Sequence, residues 1–128
     1  MSGFLWPTKE QVLAVHDAAI NRFGGAADVR DEGLLDPALA RPFASSGGND
    51  AFPDDISKVC ALCHAIISNH PFVDGNKRAG AAVLGMTLRA NGVQFKPRHT
   101  EFYAAMIGVA AGDVSLESLT KWVRSQVR

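Results

Sequence analysis

The sequence has few cysteines, no excess of charge of either sign and no long apolar run. Thirteen lysine and arginine residues balance thirteen aspartate and glutamate residues, so overall charge favours neither nucleic acid nor an anionic membrane surface. No segment approaches the roughly 20 consecutive apolar residues that a membrane-spanning helix needs. The first residues, Met-Ser-Gly-Phe-Leu-Trp, lack a basic stretch followed by an apolar one, so we expect no secretory signal. We therefore expect a cytoplasmic protein.

The two cysteines belong to the pentapeptide Cys60-Ala-Leu-Cys63-His64, which matches the pattern of covalent haem attachment. Both cysteines lie in the apolar run from Ile56 to Ile67, three positions apart, which is the spacing of one helix face. Free cysteine is among the most buried residue types. Core packing is therefore favoured over haem attachment, and the two further ligands that a zinc site would need are not evident.

The composition predicts a single folded domain that spans residues 1–128, because 47% of the residues are hydrophobic and 20% are charged. Hydrophobic periodicity is helical almost throughout, which predicts an all-α fold. Thr8 and Gln11 have the spacing of a capping box and predict the start of the first helix, and Gly24-Gly25 predicts its end. The apolar stripe of this helix is Val12, Leu13, Val15, Ala19, Ile20 and Phe23.

Local start and stop signals predict five further helices. Asp36-Pro37 indicates the cap and first residue of a short second helix that ends near Arg41-Pro42. The remaining helices are predicted over residues 54–69, 76–90, 100–111 and 115–126. Gly80 and Gly85 lie inside the helix predicted over residues 76–90, where glycine is unfavourable, and close packing against a neighbouring helix is the simplest explanation. Residues 43–53 are rich in turn formers and predict an exposed loop, either a docking flap for a target or a connector.

The most informative segment is His70-Pro-Phe-Val-Asp-Gly-Asn-Lys-Arg78. His70 precedes a proline, which favours an extended backbone, and its imidazole suits proton abstraction near neutral pH. Phe72 is expected to anchor the loop in the core. Asp74 supplies the hard oxygen ligand that Mg²⁺ takes alongside phosphates.

The second half of the segment suits an anion. Gly75 has no Cβ and allows the backbone to approach a ligand closely. Asn76 can cap the following helix and steady the turn, and the first N–H groups of that helix are free to bind phosphate oxygens. Lys77 adds a point charge, and Arg78 adds a planar fork for phosphate. Together these residues predict a site for a nucleotide polyphosphate.

The segment matches the pattern H-x-F-x-[D/E]-[G/A]-N-[G/K]-R, and on this basis the chain resembles the Fic/Doc family. The resemblance to its short death-on-curing (Doc) toxins extends over nearly the whole chain. The other matching stretches are Val15-His16-Asp17, Phe23-Gly24-Gly25, Arg30-Asp31, Gly33-Leu34-Leu35, Ala38, Arg41-Pro42, Asn91-Gly92-Val93 and Ala110-Ala111-Gly112-Asp113.

The resemblance implies a compact bundle of about six helices in which the active-site loop leads into a central helix. It also implies that His70 is the base for a target hydroxyl and that Asp74 holds Mg²⁺. The backbone of Gly75, Asn76 and Lys77 would bind phosphate, and Arg78 would grip the phosphates of an ATP substrate.

Two positions imply which group is transferred. AMP-transferring Fic proteins have glycine where this chain has Lys77, and a second arginine where it has Ala81. The resemblance therefore implies the Doc reaction, in which the γ-phosphoryl group of ATP moves to a translation factor, with elongation factor Tu as the favoured target. AMP transfer to a protein hydroxyl and a catalytically idle nucleotide- or partner-binding module remain alternatives.

The inhibitory motif [S/T]-x-x-x-E-[G/N] of self-inhibited Fic proteins is absent, because Glu32-Gly33 is the only Glu-Gly pair and Asp28 stands four residues before Glu32. The resemblance therefore implies restraint by an antitoxin whose disordered tail folds onto this chain. No direct nucleic-acid binding is expected, because the basic residues are scattered.

The remaining charged and imidazole side chains give weaker signals. A structural role is favoured for His16, with a hydrogen bond inside the fold, for His64, in the core or a groove, and for an exposed His99. Lys58, Arg30 and Arg41 are ranked below the motif as candidates to hold phosphates or the target.

Overall fold

The computed structural model describes residues 3–128, and these form six α-helices and one short hairpin. The helices are α1 (Lys9–Phe23), α2 (Leu35–Ala40), α3 (Asp55–Asn69), α4 (Asn76–Ala90), α5 (His99–Ala111) and α6 (Leu116–Gln126). Strands β1 (Ser45–Ser46) and β2 (Asn49–Asp50) pair antiparallel. The predicted all-α class is therefore confirmed. Met1 and Ser2, which begin the segment compared with a secretory signal, lie outside the described residues.

Most helix ends follow the local signals in the sequence. Thr8 caps α1 and forms the predicted capping box, in which Gln11 N donates to Thr8 Oγ1 at 3.1 Å and Thr8 N donates to Gln11 Oε1 at 2.8 Å. Gly24, with φ 86°, ends the same helix. Asp54 caps α3 by accepting the Ser57 N–H at 2.9 Å. Helix α4 begins and ends at the predicted residues because its boundaries are set by glycine and asparagine turns.

The predicted cap at Asp36 is wrong. A 3₁₀ turn, Glu32–Leu34, precedes α2, and Asp31 caps that turn by accepting the Gly33 N–H at 3.0 Å. The chain is therefore already helical when it reaches Asp36, which lies in the first turn of α2 and pairs with Lys9 at 3.2 Å.

The core is arranged around α3, which packs against α2, α4, α5 and α6. Its side chains at positions 59, 60, 62, 63, 66 and 67 are no more than 1% exposed. Cys60 and Cys63 are thus core residues, and burial raises the pKa of the Cys60 thiol to about 12. Both thiols are neutral at physiological pH, since burial also raises the pKa of Cys63.

Helices α3 and α4 meet at Gly80. A Cβ at this position would lie 2.7 Å from Cγ1 of Ile67, so only glycine allows the observed approach. The explanation by close packing is therefore right for Gly80 and wrong for Gly85. A Cβ at Gly85 would meet the guanidinium of Arg89, 2.8 Å away on the same helix.

The turn-rich segment contains the exposed β1–β2 hairpin, which is attached to α3. Lys58 Nζ donates to Phe52 O at 2.8 Å and lies 3.3 Å from Asp50 Oδ2. The guanidinium of Arg41 lies 5.1 Å from the ring centroid of Phe52. Lys58 and Arg41 therefore hold the hairpin, and a docking role for this segment stays a prediction. Among residues 3–128, no helix is both long and apolar enough to cross a membrane.

Candidate active site

The loop between α3 and α4 carries the motif and is held by a second segment, residues 26–31. The two run antiparallel, with a bridge between Val29 and Phe72. The Val73 N–H donates to Asp28 O at 3.0 Å, and the Arg30 N–H donates to Pro71 O at 2.8 Å. These backbone bonds fix the path of the loop independently of most of its side chains.

His70 follows the last residue of α3 and has a left-handed backbone, with φ 54° and ψ 54°. The predicted extended conformation is therefore wrong. Arg30 binds the chain at this point, because its Nε donates to His70 O at 2.7 Å and its Nη2 donates to Asn69 O at 3.0 Å. The guanidinium thus binds the carbonyls at the end of α3 and does not reach the cleft. Non-glycine residues in such a conformation concentrate at functional sites.

Asn76 ties the loop to the start of α4. Its Oδ1 accepts the Phe72 N–H at 3.1 Å, and its Nδ2 donates to Phe72 O at 2.9 Å. Nδ2 also lies 3.0 Å from Nδ1 of His70. The predicted capping role is wrong, because Gly75 occupies the N-cap position with φ 79° and Asn76 is the first residue of the helix. The side chain does steady the turn.

The N-terminus of α4 is open and positively charged. Gly75 offers no capping side chain, and the first N–H groups of the helix, from Asn76 to Arg78, have no intrahelical acceptor. The first turn contains no acidic residue, while Lys77 and Arg78 are both exposed. Cations at this end of a helix oppose its dipole, so a bound anion would be stabilised by the N–H groups and both side chains.

A cleft of about 350 Å³ opens at this helix end. Its lining residues are Phe23, Gly24, Gly25, Asp74, Gly75, Asn76, Lys77 and Arg78. Arg78 Nη1 donates to Gly24 O at 2.8 Å, and its guanidinium lies 5.4 Å from the ring centroid of Phe23. One bond to the backbone leaves the other N–H groups of Arg78 available for a ligand.

Phe23 is the functional candidate that sequence reasoning missed. Its assignment to the apolar stripe of α1 is wrong, because the side chain is 61% exposed and forms one wall of the cleft. The sequence did contain a signal that the chain after Phe23 has a further role. Two adjacent glycines follow the helix, although one glycine is enough to end it. Gly25 has φ 113°, and a Cβ there would lie 3.4 Å from Cβ of Asp74.

Asp74 is exposed at the edge of the cleft. Its Oδ2 accepts the Ala26 N–H at 3.0 Å, which orients the carboxylate and leaves lone pairs for a cation. Within the described range, no group of three or more His, Cys, Asp or Glu side chains could hold a metal ion. One carboxylate beside a phosphate site fits Mg²⁺, which usually keeps several waters and binds through one or two carboxylates plus substrate phosphates.

His16 of α1 contacts the motif from the core. Its Nε2 donates to Asp74 O at 2.6 Å, and its ring stacks on that of fully buried Phe72, with centroids 3.6 Å apart and planes 4° apart. The predicted hydrogen bond of His16 within the fold is confirmed. His64 is half-buried and His99 is exposed at the start of α5, as predicted. Burial, with the charge of Arg41, lowers the pKa of His64.

Comparisons with known proteins agree with this geometry. The sequence profile of the Fic/DOC family matches residues 6–88. The chain is 46% identical over 86 residues to a protein named Toxin Doc from Mycolicibacterium smegmatis, and this covers 67% of the chain and 64% of that relative. It is 31% identical over 116 residues to a protein named Protein kinase doc from Escherichia phage P1, and this covers 90% of each. The chain thus spans slightly less than two thirds of the first relative and most of the second.

Proposed function

The chain belongs to the Fic/DOC family, and from that premise we propose that it is the toxin of a toxin–antitoxin pair and acts as a protein kinase. In this proposal it transfers the γ-phosphoryl group of ATP to a hydroxyl of a translation factor, with elongation factor Tu as the favoured target. The observation that carries the proposal is the open N-terminus of α4, which meets Asp74, Lys77 and Arg78 in one cleft.

Phosphoryl transfer suits this site because it needs positioning and charge stabilisation more than covalent chemistry from the protein. The N–H groups at the start of α4 would bind phosphate oxygens of ATP. Arg78, already oriented by Gly24 O, would direct its remaining donors at the same group, and Lys77 would add charge. Mg²⁺ would be held by Asp74 together with the phosphates, where it would offset negative charge.

In the transfer step, the target hydroxyl oxygen forms a bond to the γ-phosphorus while the bond from that phosphorus to the bridging oxygen breaks. ADP leaves, and the hydroxyl proton passes to His70. In the observed hydrogen-bond pattern, Nδ1 of His70 accepts from Asn76, so the neutral ring carries its proton on Nε2. For Nε2 to accept the hydroxyl proton, the ring proton must first move to Nδ1, and that tautomer loses the hydrogen bond from Asn76.

Lys77 and Ala81 support phosphoryl transfer over AMP transfer, because AMP-transferring relatives have glycine and arginine at these positions. ATP labelled at the α- or γ-phosphate tests this directly with purified elongation factor Tu. We expect only the γ label to move to the protein, and none to move with His70→Ala. Transfer of the α label alone would show an AMP-transferase.

Toxicity tests the biological role separately. Expression of the chain in bacteria without a partner is expected to stop growth, and expression of His70→Ala is not. Equal growth of the two strains would favour the idle binding module. The proposed restraint by an antitoxin predicts that co-expression of a small protein encoded next to this gene restores growth and that the two proteins copurify. Because the proposed reaction uses ATP and a translation factor, the proposal puts the activity in the cytoplasm.

A further inference from the structure

One polar contact of the motif comes from outside it, from His16 of α1. The side chain is 2% exposed and lies beside core residues of the same helix, Val12 and Ile20. An apolar residue would pack there without the penalty of burying an imidazole. The imidazole is compensated by its bond to the Asp74 carbonyl, 2.6 Å from Nε2. Because a carbonyl only accepts, Nε2 is the donor in this bond.

This bond determines which way one peptide group faces. In a planar trans peptide the C=O of one residue and the N–H of the next point in opposite directions. Since the Asp74 C=O points into the core at His16, the N–H of Gly75 points away from His16. Gly75 lines the cleft and directly precedes the first N–H groups of α4, which have no intrahelical acceptor.

His16 also closes the space behind the loop. A Cβ on Gly75 would lie 3.3 Å from Nε2 of His16 and 3.2 Å from Cδ1 of Ile20. The imidazole ring of His16 also stacks flat on the ring of Phe72. His16 therefore contacts the motif at Phe72 and Asp74 and would crowd any side chain at Gly75. Rotation of the Asp74–Gly75 peptide would break its hydrogen bond.

We propose that His16 is a positioning residue of the phosphate site. It holds the Asp74–Gly75 peptide in the orientation that adds the Gly75 N–H to the anion-binding N–H groups of α4 and keeps Asp74 at the cleft. His16 itself contacts neither phosphate nor target. The choice of ATP as the ligand rests on the proposed function, whereas the orientation of the peptide does not.

Three variants separate positioning from stability. His16→Leu removes the donor, His16→Gln keeps an N–H donor at the end of the side chain, and Val12→Ala weakens the same core one turn earlier without a bond to the loop. We expect His16→Leu to weaken binding of Mg²⁺–ATP about tenfold, the effect of losing about one hydrogen bond. His16→Gln should stay within about threefold of the wild type, and Val12→Ala should bind normally despite a lower Tm.

Calorimetric titrations with Mg²⁺–ATP and with tripolyphosphate distinguish the possible failures. If the wild type binds tripolyphosphate but not ATP, the proposed function is overturned. The role of His16 is then tested by the affinity of its variants for tripolyphosphate. Wild-type binding of neither would overturn both proposals. If the wild type binds and His16→Leu binds equally well, the positioning role alone is wrong. The positioning role is also wrong if the loss of affinity follows the decrease in Tm in the same way in Val12→Ala and His16→Leu.

The Gly75 amide gives a readout that does not depend on affinity. In ¹H–¹⁵N spectra of the wild type, we expect this glycine signal to shift on saturation with tripolyphosphate. In His16→Leu the shift should be largely lost, and in His16→Gln it should return. A full shift in saturated His16→Leu would show that the peptide keeps its orientation without the imidazole, which would overturn the proposal.

Discussion

Asn76 donates a hydrogen bond from Nδ2 to Nδ1 of His70, across 3.0 Å, and this contact determines which ring nitrogen carries the proton. The orientation of the amide is itself fixed, because Oδ1 accepts the Phe72 N–H while Nδ2 also donates to Phe72 O. An amide nitrogen cannot accept, so a neutral His70 in this arrangement is protonated on Nε2. His70, the residue expected to act as a base, is therefore held with its unprotonated ring nitrogen directed at Asn76.

Asn76→Asp is expected to reverse the tautomer of His70. A carboxylate cannot donate, so a hydrogen bond at this position requires the proton on Nδ1. Long-range ¹H–¹⁵N spectra of the neutral imidazole distinguish the two forms, and exposed His99 serves as an internal reference. The variant also loses the bond to Phe72 O, so unfolding should become easier by about 1–3 kcal/mol. A wild-type ring protonated on Nδ1 would contradict the assigned hydrogen bond.

Arg30→Lys is expected to destabilise the end of α3. Arginine binds the carbonyls of Asn69 and His70 with two separate N–H groups, and lysine offers only a point charge at that distance. Urea unfolding should show a loss of about 1 kcal/mol. Arg41→Lys is a matched control, because Arg41 is exposed and packs over Phe52, which follows the hairpin. Equal losses in both variants would mean that the fork of Arg30 contributes nothing specific.

Gly80→Ala and Gly85→Ala are expected to change stability in opposite directions although they lie on one helix. Each removes an unfavourable helical glycine, which is worth up to about 1 kcal/mol. At position 80 the new methyl would be forced against Ile67, and overpacking of this kind costs about 1–3 kcal/mol. At position 85 the nearest atoms belong to the flexible end of Arg89, which can move aside. Thermal unfolding of both variants checks the signs, and a stabilised Gly80→Ala would refute the tight α3–α4 contact.

His64 is expected to make the protein less stable as pH falls below the ordinary histidine value of 6.5. Burial, followed by the charge of Arg41, lowers the pKa of His64 in the folded state. Between the lowered and ordinary values the unfolded chain binds more protons, so stability decreases as pH falls through that window. His64→Gln removes this titration. Urea unfolding at several pH values between 5 and 8 should give a flatter profile for the variant, whereas identical profiles would contradict the shift.

Helix boundaries could be predicted from the sequence because the signals that set them are local. The caps at Thr8 and Asp54 and the glycines at 24 and 75 act within a few residues of the boundary they define. The capping prediction failed at Asp36, where an equally good capping residue, Asp31, comes first along the chain, and at Asn76, where Gly75 takes the N-cap position. Competing signals of the same kind are resolved by tertiary packing, which the local pattern does not contain.

The sequence predicted which side chains of the motif belong to the site, but not how they are arranged in space. Nine consecutive residues predict the chemistry, whereas Phe23, Arg30 and His16 contact these residues from positions 40 to 58 residues away in the chain. The motif predicts that Arg78 faces the cleft, but nothing in the sequence indicates that Arg30, also an exposed arginine, binds the carbonyls at the end of α3. Sequence distance hides such pairings because they depend on how α1 packs against the loop.

At Val73, the pairing of the loop with residues 26–31 uses the backbone and leaves the side chain out. Its N–H is bonded to Asp28 O, while half of its side chain is exposed. A cysteine introduced here would be the accessible thiol in a protein whose two native cysteines are buried. A fluorescent dye attached at position 73 would sit next to Asp74, which lines the cleft, and would leave the backbone pairing with residues 26–31 in place. The fluorescence of a dye at position 73 would therefore report the binding of ligands and partners in real time.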